Sequence, residues 1–165
     1  MKRKKAIVPG TFDPITRGHF DLIETASLLF DEVTVLLGEN GAKSTRFTDE
    51  ERLAMVSQAI AALPNVKVTL YGGLVGEYCA EHGIDAIVKG LRFSKDFDYE
   101  HEMAEVNGML SPKTKTIFLH ATRENAFLSS TMVRVFLDSG RDVSEFLPDG
   151  VTLPDGDRRT TQEEV

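Results

Sequence analysis

The sequence alternates between short apolar runs and longer stretches in which apolar residues recur every three or four positions. Short runs are typical of buried strands, whereas the second spacing is typical of helices with one apolar face. The pattern predicts strands at residues 6–8, 33–37, 66–70, 84–88 and 116–119. It predicts helices that begin near residue 19 and then span about 48–63, 74–82, 95–110 and 131–137.

Strands separated by helices predict an α/β fold with a doubly wound, parallel five-stranded sheet and helices on both faces. Ligands of such sheets bind beyond the carboxyl ends of the strands. Polar segments follow four of the predicted strands, at residues 9–19, 38–47, 89–95 and 120–130. We therefore expect these segments to meet at one edge of the sheet.

The composition is ordinary for a globular protein, with 165 residues, 41% hydrophobic and 27% charged. We expect one domain over residues 1–153 and a polar, disordered tail over 154–165, which has no apolar periodicity. No apolar run reaches the roughly 20 residues of a membrane span, and the one after the basic N-terminus is too short for a signal peptide. Cys79 is the only cysteine, so no internal disulfide can form, and we expect a cytoplasmic protein.

The net charge of −7 argues against a broad nucleic-acid surface. Basic residues nevertheless collect in a few loops, notably at 43–46 and 89–92. An acidic protein with such local positive charge fits a compact polyanionic ligand better than a polymer.

The segment Pro9–His19 connects a predicted strand to a predicted helix. A helix N-terminus offers free backbone N–H groups and partial positive charge, so it favours an anion. Gly18 removes a side chain where a nucleotide must come close, and His19 supplies a donor beside it. On the glycine and histidine alone, a turn followed by a surface histidine is the favoured interpretation.

Two common phosphate-binding motifs do not fit. The sequence Gly41-Ala42-Lys43-Ser44 resembles the end of a P-loop, but Ala42 separates the glycine from the lysine. The helix cap lies later, at Thr48, so Lys43 belongs to a loop. A Gly-x-Gly-x-x-Gly sequence is absent as well.

Several segments together resemble the nucleotidylyltransferase superfamily and, within it, the phosphopantetheine adenylyltransferase family. The first is Pro-Gly-Thr-Phe-Asp-Pro-Ile-Thr-Arg-Gly-His at residues 9–19, and the second is Leu-Ser-Ser-Thr-Met-Val-Arg at 128–134. The others are at residues 47–52, 90–92, 96–100 and 146–148. The resemblance extends in register from residue 5 to about 151, nearly the whole chain.

The resemblance implies adenylyl transfer from ATP to 4′-phosphopantetheine, which gives dephospho-coenzyme A and pyrophosphate without a covalent intermediate. It implies catalytic roles for His19, Lys43 and Arg92, which would stabilise charge on the reacting phosphates. It implies acceptor binding by Thr11, Lys43, Val75 and Lys89. It implies ATP binding by Thr11, Phe12, His19, Gly90, Leu91, Arg92, Glu100, Asn125, Ala126, Phe127, Leu128, Ser129, Ser130 and Thr131.

By the same resemblance, Mg²⁺ is expected to arrive with ATP, with no metal site built from the protein. A homohexamer is expected, with coenzyme A as a feedback ligand and with neither nucleic acid nor membrane as a partner.

Some positions depart from the family pattern. Lys89 stands where arginine is usual, which keeps the charge but loses the bidentate fork. Asn125 replaces a typical Trp or Tyr, Val135 replaces a common glutamate, and Thr131 replaces the last serine of the usual three. The histidine, threonine, second lysine and arginine that the family uses around the phosphates are all present, so we expect an active enzyme. The departures predict that its substrate affinity is weakened.

Two alternatives stay open. One is nucleotidyl transfer to another phosphate acceptor such as nicotinate mononucleotide, since the segment at 128–134 is closer to that branch. Thr16, where that branch has histidine, argues against it. The other is a non-catalytic nucleotide-binding paralogue.

Overall fold

The computed structural model of the protein describes residues 3–39 and 45–154. Strands and helices alternate along these residues, and one turn of 3-10 helix follows at Ser144–Phe146. The strands are β1 (Lys5–Gly10), β2 (Glu32–Gly38), β3 (Val66–Tyr71), β4 (Ala86–Leu91) and β5 (Lys115–His120). The helices are α1 (Arg17–Leu29), α2 (Asp49–Ala59), α3 (Val75–His82), α4 (Ser94–Leu110) and α5 (Ser130–Asp138).

The five strands form one parallel sheet in the order β3-β2-β1-β4-β5. The chain runs outward from the central β1 through β2 to β3, and then returns to build β4 and β5 on the other side. The order therefore reverses between β1 and β4, the point where doubly wound sheets bind ligands. The predicted fold is confirmed.

Two apolar cores lie on opposite faces of the sheet, because successive residues of a strand point to opposite sides. Val8 of β1 belongs to the larger core, with Ile23 of α1 and Val133 of α5. Its neighbour Ile7 belongs to the smaller core, with Tyr78 of α3. Helices thus cover both faces, as the alternating pattern predicts.

Strand β4 differs from its predicted limits of residues 84–88. Ile84 instead belongs to the C-terminal cap of α3, since its N–H donates to the carbonyl of Cys79 at 3.0 Å and Gly83 adopts a left-handed φ of 62°. At its other end the strand continues to Leu91, which pairs with His120 of β5. The strand itself, rather than the loop after it, therefore carries Lys89.

Helix α2 also differs from its predicted span of about 48–63. It ends at Ala59, and a turn closed by the Leu63 N–H and the Ile60 carbonyl at 2.9 Å follows it. Helix α4 matches its predicted span, but its apolar stripe is largely exposed, at 64% for Tyr99 and 44% for Val106. The stripe correctly predicts a helix, but α4 lies over α3 and the edge of the sheet, where one layer of neighbours cannot cover it.

Within the described ranges, no helix has both the length and the apolar character that crossing a membrane requires. The predicted tail lies, apart from Pro154, outside the described residues, and so does Lys43.

Candidate active site

The loop that follows β1 contains a buried aromatic side chain, that of Phe12. Phe12 is buried and has a φ of 50°, a conformation uncommon for residues other than glycine. A Cβ atom on Gly10 would lie 2.9 Å from the Phe12 ring, so only glycine leaves room for the ring at the strand end. The ring meets the imidazole of His19 edge to face, with centroids 5.0 Å apart. Phe12 thus supports His19 from the core side.

The first turn of α1 fixes the orientation of His19. The backbone N–H of Thr16 donates to Nδ1 of His19 at 3.0 Å, and the backbone N–H of His19 lies 3.4 Å from the Thr16 hydroxyl oxygen that accepts it. This is a capping box in which histidine stands in for the usual glutamate. Because Nδ1 accepts a hydrogen bond, the neutral ring carries its proton on Nε2. The capping box therefore leaves Nε2–H as a donor.

The surroundings of His19 keep the ring neutral. Burial of the ring lowers the pKa of His19 to about 4, and the positive charges of Arg92 and Lys89 add to this effect. The ring at neutral pH is therefore a hydrogen-bond donor rather than a cation. His19, Lys89 and Arg92 line the same cavity.

The pKa of His19 predicts a pH-dependent stability. The folded chain takes up this proton near pH 4, whereas an unfolded histidine does so near 6.5. The unfolded state therefore binds more protons between these values, and the free energy of unfolding should fall by up to about 3 kcal/mol as the pH drops from 6.5 to 4. Urea unfolding across this range measures the loss.

His19→Asn is the matched control for this prediction, because asparagine does not titrate and its Oδ1 can still accept from Thr16. As the pH falls from 6.5 to 4, the unchanged protein should lose stability relative to His19→Asn by up to about 3 kcal/mol. Parallel stability curves for the two proteins would contradict the assigned pKa.

The residues after β4 hold Arg92 between two segments. The Asp96 carboxylate accepts the backbone N–H of Arg92 at 3.2 Å and that of Phe93 at 3.3 Å. Although burial opposes it, these hydrogen bonds and the Arg92 guanidinium lower the pKa of Asp96. Nη1 of Arg92 also donates to the carbonyl of Leu128 at 3.3 Å. Arg92 thereby links the end of β4 to the segment that precedes α5.

An ion pair lies three residues earlier, at Lys89 of β4. Nζ of Lys89 is 3.2 Å from Oε2 of Glu100, which projects from α4. The Glu100 oxygen is buried, and no donor among the described residues points at it with good hydrogen-bond geometry. The pair is therefore held by charge rather than by a directed hydrogen bond.

The start of α5 brings hydroxyl groups and backbone N–H groups together. The Ser129 hydroxyl caps the helix by accepting the N–H of Met132 at 3.1 Å. The Ser130 hydroxyl donates to the carbonyl of Pro14 at 2.8 Å, and the Thr131 hydroxyl accepts from Nη2 of Arg134 at 3.1 Å. Because the Ser129 and Thr131 hydroxyls act only as acceptors in these bonds, their O–H groups can still donate, so an anion at this helix start would meet them together with the backbone N–H groups of the first turn.

Two cavities meet at the carboxyl edge of the sheet. The first, about 440 Å³, lies between α1, the end of β4 and the start of α5, and it contains His19, Arg92 and the 128–131 segment. The second, about 260 Å³, lies between the ends of β1 and β2 and helices α3 and α4, and it contains Thr11, Val75 and Asn107. Lys89 and Glu100 line both cavities, so the ion pair stands at their junction.

Comparison with known proteins identifies the family. The cytidylyltransferase-like family model matches residues 7–136. The phosphopantetheine adenylyltransferase of Cutibacterium acnes is 47% identical over 144 residues, which are 87% of this chain and 91% of that protein. The enzyme of the same name from Leuconostoc citreum is also 47% identical over 144 residues, 87% of this chain and 90% of that protein. The chain belongs to the phosphopantetheine adenylyltransferase family.

Solved structures share the fold at much lower identity. A protein from Vibrio parahaemolyticus assigned as a nicotinate-nucleotide adenylyltransferase superposes with a TM-score of 0.66 at 21% identity, covering 89% of this chain and 88% of that one. A bifunctional NMN adenylyltransferase/ADP ribose pyrophosphatase from Francisella tularensis gives 0.63 at 15% identity, covering 88% of this chain and 45% of that one. These similarities show the fold alone.

The structure brings together most of the residues that the family resemblance singled out. The first cavity is lined by His19, Lys89, Gly90, Arg92, Glu100, Asn125, Leu128, Ser129, Ser130 and Thr131. The second is lined by Thr11, Val75, Lys89 and Glu100. These positions lie up to 120 residues apart in sequence, and the order of the strands is what places them at one edge of the sheet.

Other predicted positions of the family site do not line either cavity. Phe12 is buried beneath His19, and Leu91 and Ala126 contribute no lining surface. Phe127 is 59% exposed on the outside of its segment. Lys43, predicted to bind both substrates, lies outside the described residues.

The sequence analysis did not identify Asp21, whose carboxylate holds one wall of the first cavity in place. Asp21 of α1 accepts from the Thr122 hydroxyl at 2.8 Å and from the side-chain amide of Asn125. Asn125, the position at which this chain departs from the family's aromatic residue, therefore anchors the 122–125 segment to α1. The polar face of α1 carried a signal for Asp21, but nothing in the sequence indicated its partner about 100 residues away.

Two carboxylates, those of Asp21 and Glu100, line the first cavity. No group of three His, Cys, Asp or Glu side chains in the described part of the chain is arranged to hold an ion. Asp21 and Glu100, which do line the first cavity, are occupied by Asn125 and Lys89 respectively.

Proposed function

We propose that this protein transfers the adenylyl group of ATP to 4′-phosphopantetheine, giving dephospho-coenzyme A and pyrophosphate. A phosphate oxygen of the acceptor attacks the α-phosphorus of ATP, and the bond from that phosphorus to the bridging oxygen of pyrophosphate breaks. The proposal rests above all on two cavities that meet at one cationic junction, one of a size for a nucleotide and one for a narrower acceptor arm. The 47% identity to two enzymes named for this reaction supports the choice of acceptor.

Each group at the junction suits a part of that reaction. The Nε2–H of His19 would donate to an oxygen of the α-phosphate, where negative charge grows in the transition state. Arg92 would bind ATP phosphates, and the N–H groups at the start of α5 would bind the β- and γ-phosphates. Lys89 would hold the acceptor phosphate beside the second cavity, together with Lys43. Such transfer depends mainly on aligning two anions that repel each other.

Several expectations belong to the proposal. Magnesium enters with the ATP phosphates, whose charge it neutralises. A homohexamer is supported by apolar side chains that α4 and the turn before it leave exposed, among them Phe93, Tyr99 and Met109. Coenzyme A would act as a feedback ligand by reaching both cavities. A cytoplasmic location fits Cys79, a buried free thiol whose pKa burial raises to about 11.

A pyrophosphate-release assay tests the proposal and separates its alternatives. The protein is mixed with ATP, Mg²⁺ and either 4′-phosphopantetheine or nicotinate mononucleotide. Pyrophosphate release with 4′-phosphopantetheine but not with nicotinate mononucleotide supports the proposal. Release with nicotinate mononucleotide only selects the other acceptor branch. Tight ATP binding without release from either mixture selects a non-catalytic paralogue.

Lys89→Arg should lower the KM for 4′-phosphopantetheine by about three- to tenfold. A guanidinium can bind a phosphate through two parallel hydrogen bonds where an ammonium acts as a point charge, and it can still pair with Glu100. The KM for ATP should change by less than about twofold. Steady-state kinetics with each substrate varied in turn measure both values.

Lys115→Arg is the matched control, since Lys115 is exposed at the opposite end of the sheet. Its kinetic constants should equal those of the unchanged protein. An unaltered acceptor KM in Lys89→Arg would show that this position does not hold the acceptor phosphate.

A further inference from the structure

Arg52 of α2 is completely buried, and it is the largest side chain of the described residues with less than 2% exposure. A buried guanidinium is costly unless its donors are satisfied, because it loses its hydration. Its Nε in fact has no hydrogen-bond partner within the described ranges. An arginine at this position therefore calls for an explanation beyond packing.

The guanidinium joins three segments of the chain. Nη1 donates to the carbonyl of Thr11 at 2.6 Å and to that of Gly38 at 3.1 Å. Nη2 donates to the same Gly38 carbonyl at 3.0 Å and forms an ion pair with the carboxylate of Asp49. The side chain thus bonds the loop after β1, the last residue of β2 and the first turn of α2.

Both bonded carbonyls belong to residues that line only the second cavity. Thr11 and Gly38 contribute to its wall, and neither lines the first cavity. Arg52 does not line either cavity, so it supports that wall from behind. Its planar fork can bond both carbonyls at once, whereas the three donors of a lysine ammonium radiate from one nitrogen.

We propose that Arg52 is a positioning residue for the acceptor. By holding the Thr11 and Gly38 carbonyls together, it fixes the distance between the ends of β1 and β2 and so shapes the wall against which the acceptor phosphate is held. This inference rests on the proposed function, in which the second cavity takes 4′-phosphopantetheine.

Arg52→Lys tests the inference, because it keeps the charge and most of the volume but not the fork. The KM for 4′-phosphopantetheine should rise at least tenfold and kcat should fall about tenfold, while the KM for ATP stays within twofold. A residue that served stability alone would not separate the two substrates. Equal changes in both KM values, or none in either, would overturn the proposal.

Asp49→Asn is the matched control for lost stability. It removes the charged partner of Arg52 but leaves both carbonyl bonds in place. The melting temperature should fall while both KM values and kcat stay within twofold. Acceptor-specific loss in Asp49→Asn as large as that in Arg52→Lys would assign the effect to the ion pair and overturn the proposal.

A measurement on the unchanged protein keeps the inference testable if Arg52→Lys does not fold. With arginine labelled by ¹⁵N, the Nη resonances of Arg52 should shift when 4′-phosphopantetheine is added alone and stay in place when MgATP is added alone. Arg52 Nη resonances that do not shift when 4′-phosphopantetheine is added would contradict the proposal. Pyrophosphate release by the unchanged protein is measured in parallel, so that failure of the proposed reaction is recognised separately.

Discussion

Replacing His19 by asparagine should lower kcat by about 10²–10³-fold without unfolding the protein. Asparagine places its Oδ1 near the position of the imidazole Nδ1, so the hydrogen bond from the Thr16 N–H can persist. It has no atom at the position of Nε2. The variant therefore keeps the cap of α1 and loses only the donor that faces the cavity. Removing one preorganised donor to developing charge has an effect of this size.

Two further variants separate the functions of the two ring nitrogens. His19→Gln can place an amide N–H near the position of Nε2 but loses the acceptor for Thr16, so it should retain more activity than His19→Asn and be less stable. His19→Ala loses both groups and should combine the two defects. Stopped-flow or steady-state kcat values, set beside melting temperatures, measure both properties. A kcat for His19→Asn equal to that of the unchanged protein would exclude the assigned role.

The sequence predicts the strands and their order of appearance well because its apolar runs are short and well separated. Residues 33–37 and 66–70 fall within the observed strands β2 and β3. The limits of β4 were wrong because Ile84 continues the apolar run while its backbone still closes helix α3. An apolar pattern cannot distinguish a strand residue from a buried helix cap.

Burial was harder to predict than secondary structure. The periodicity of α4 indicates a helix with an apolar stripe, yet Met109 is 81% exposed and no residue of α4 is fully buried. Sequence periodicity reports which face of a helix is apolar. It carries no information on whether the same chain or another one covers that face.

The supports of the candidate site were the least predictable part. His19, Ser129 and Arg52 all stand in segments that resemble the family, but the sequence assigns Arg52 no role beyond that of a charged residue at a helix start. Its partner Thr11 lies 41 residues away, and the bond goes to a backbone carbonyl, which every residue has. No side-chain pattern in a single sequence marks such a contact.

Asp13 is a second support of this kind, and its replacement should have the largest effect on stability. Its carboxylate is 4% exposed and accepts the backbone N–H groups of Arg46 and Phe47, each at 3.0 Å. Nη1 of Arg134 donates to its carbonyl at 2.6 Å and lies 3.5 Å from the carboxylate. Asp13 thus holds the segment before α2 against the loop after β1, close to the start of α5.

Asp13→Ala should therefore lower the free energy of unfolding by about 2–4 kcal/mol, since each buried N–H left without an acceptor costs about 1–3 kcal/mol. Urea unfolding at pH 7 measures the change. Asp142→Ala is the matched control, because Asp142 also accepts from a backbone N–H, that of Ser144 at 3.0 Å, but at an exposed site. Water can replace that acceptor, so the control should lose much less stability than Asp13→Ala. Equal losses in the two variants would mean that the Arg46 and Phe47 N–H groups find other partners, and the segment before α2 would then not depend on Asp13.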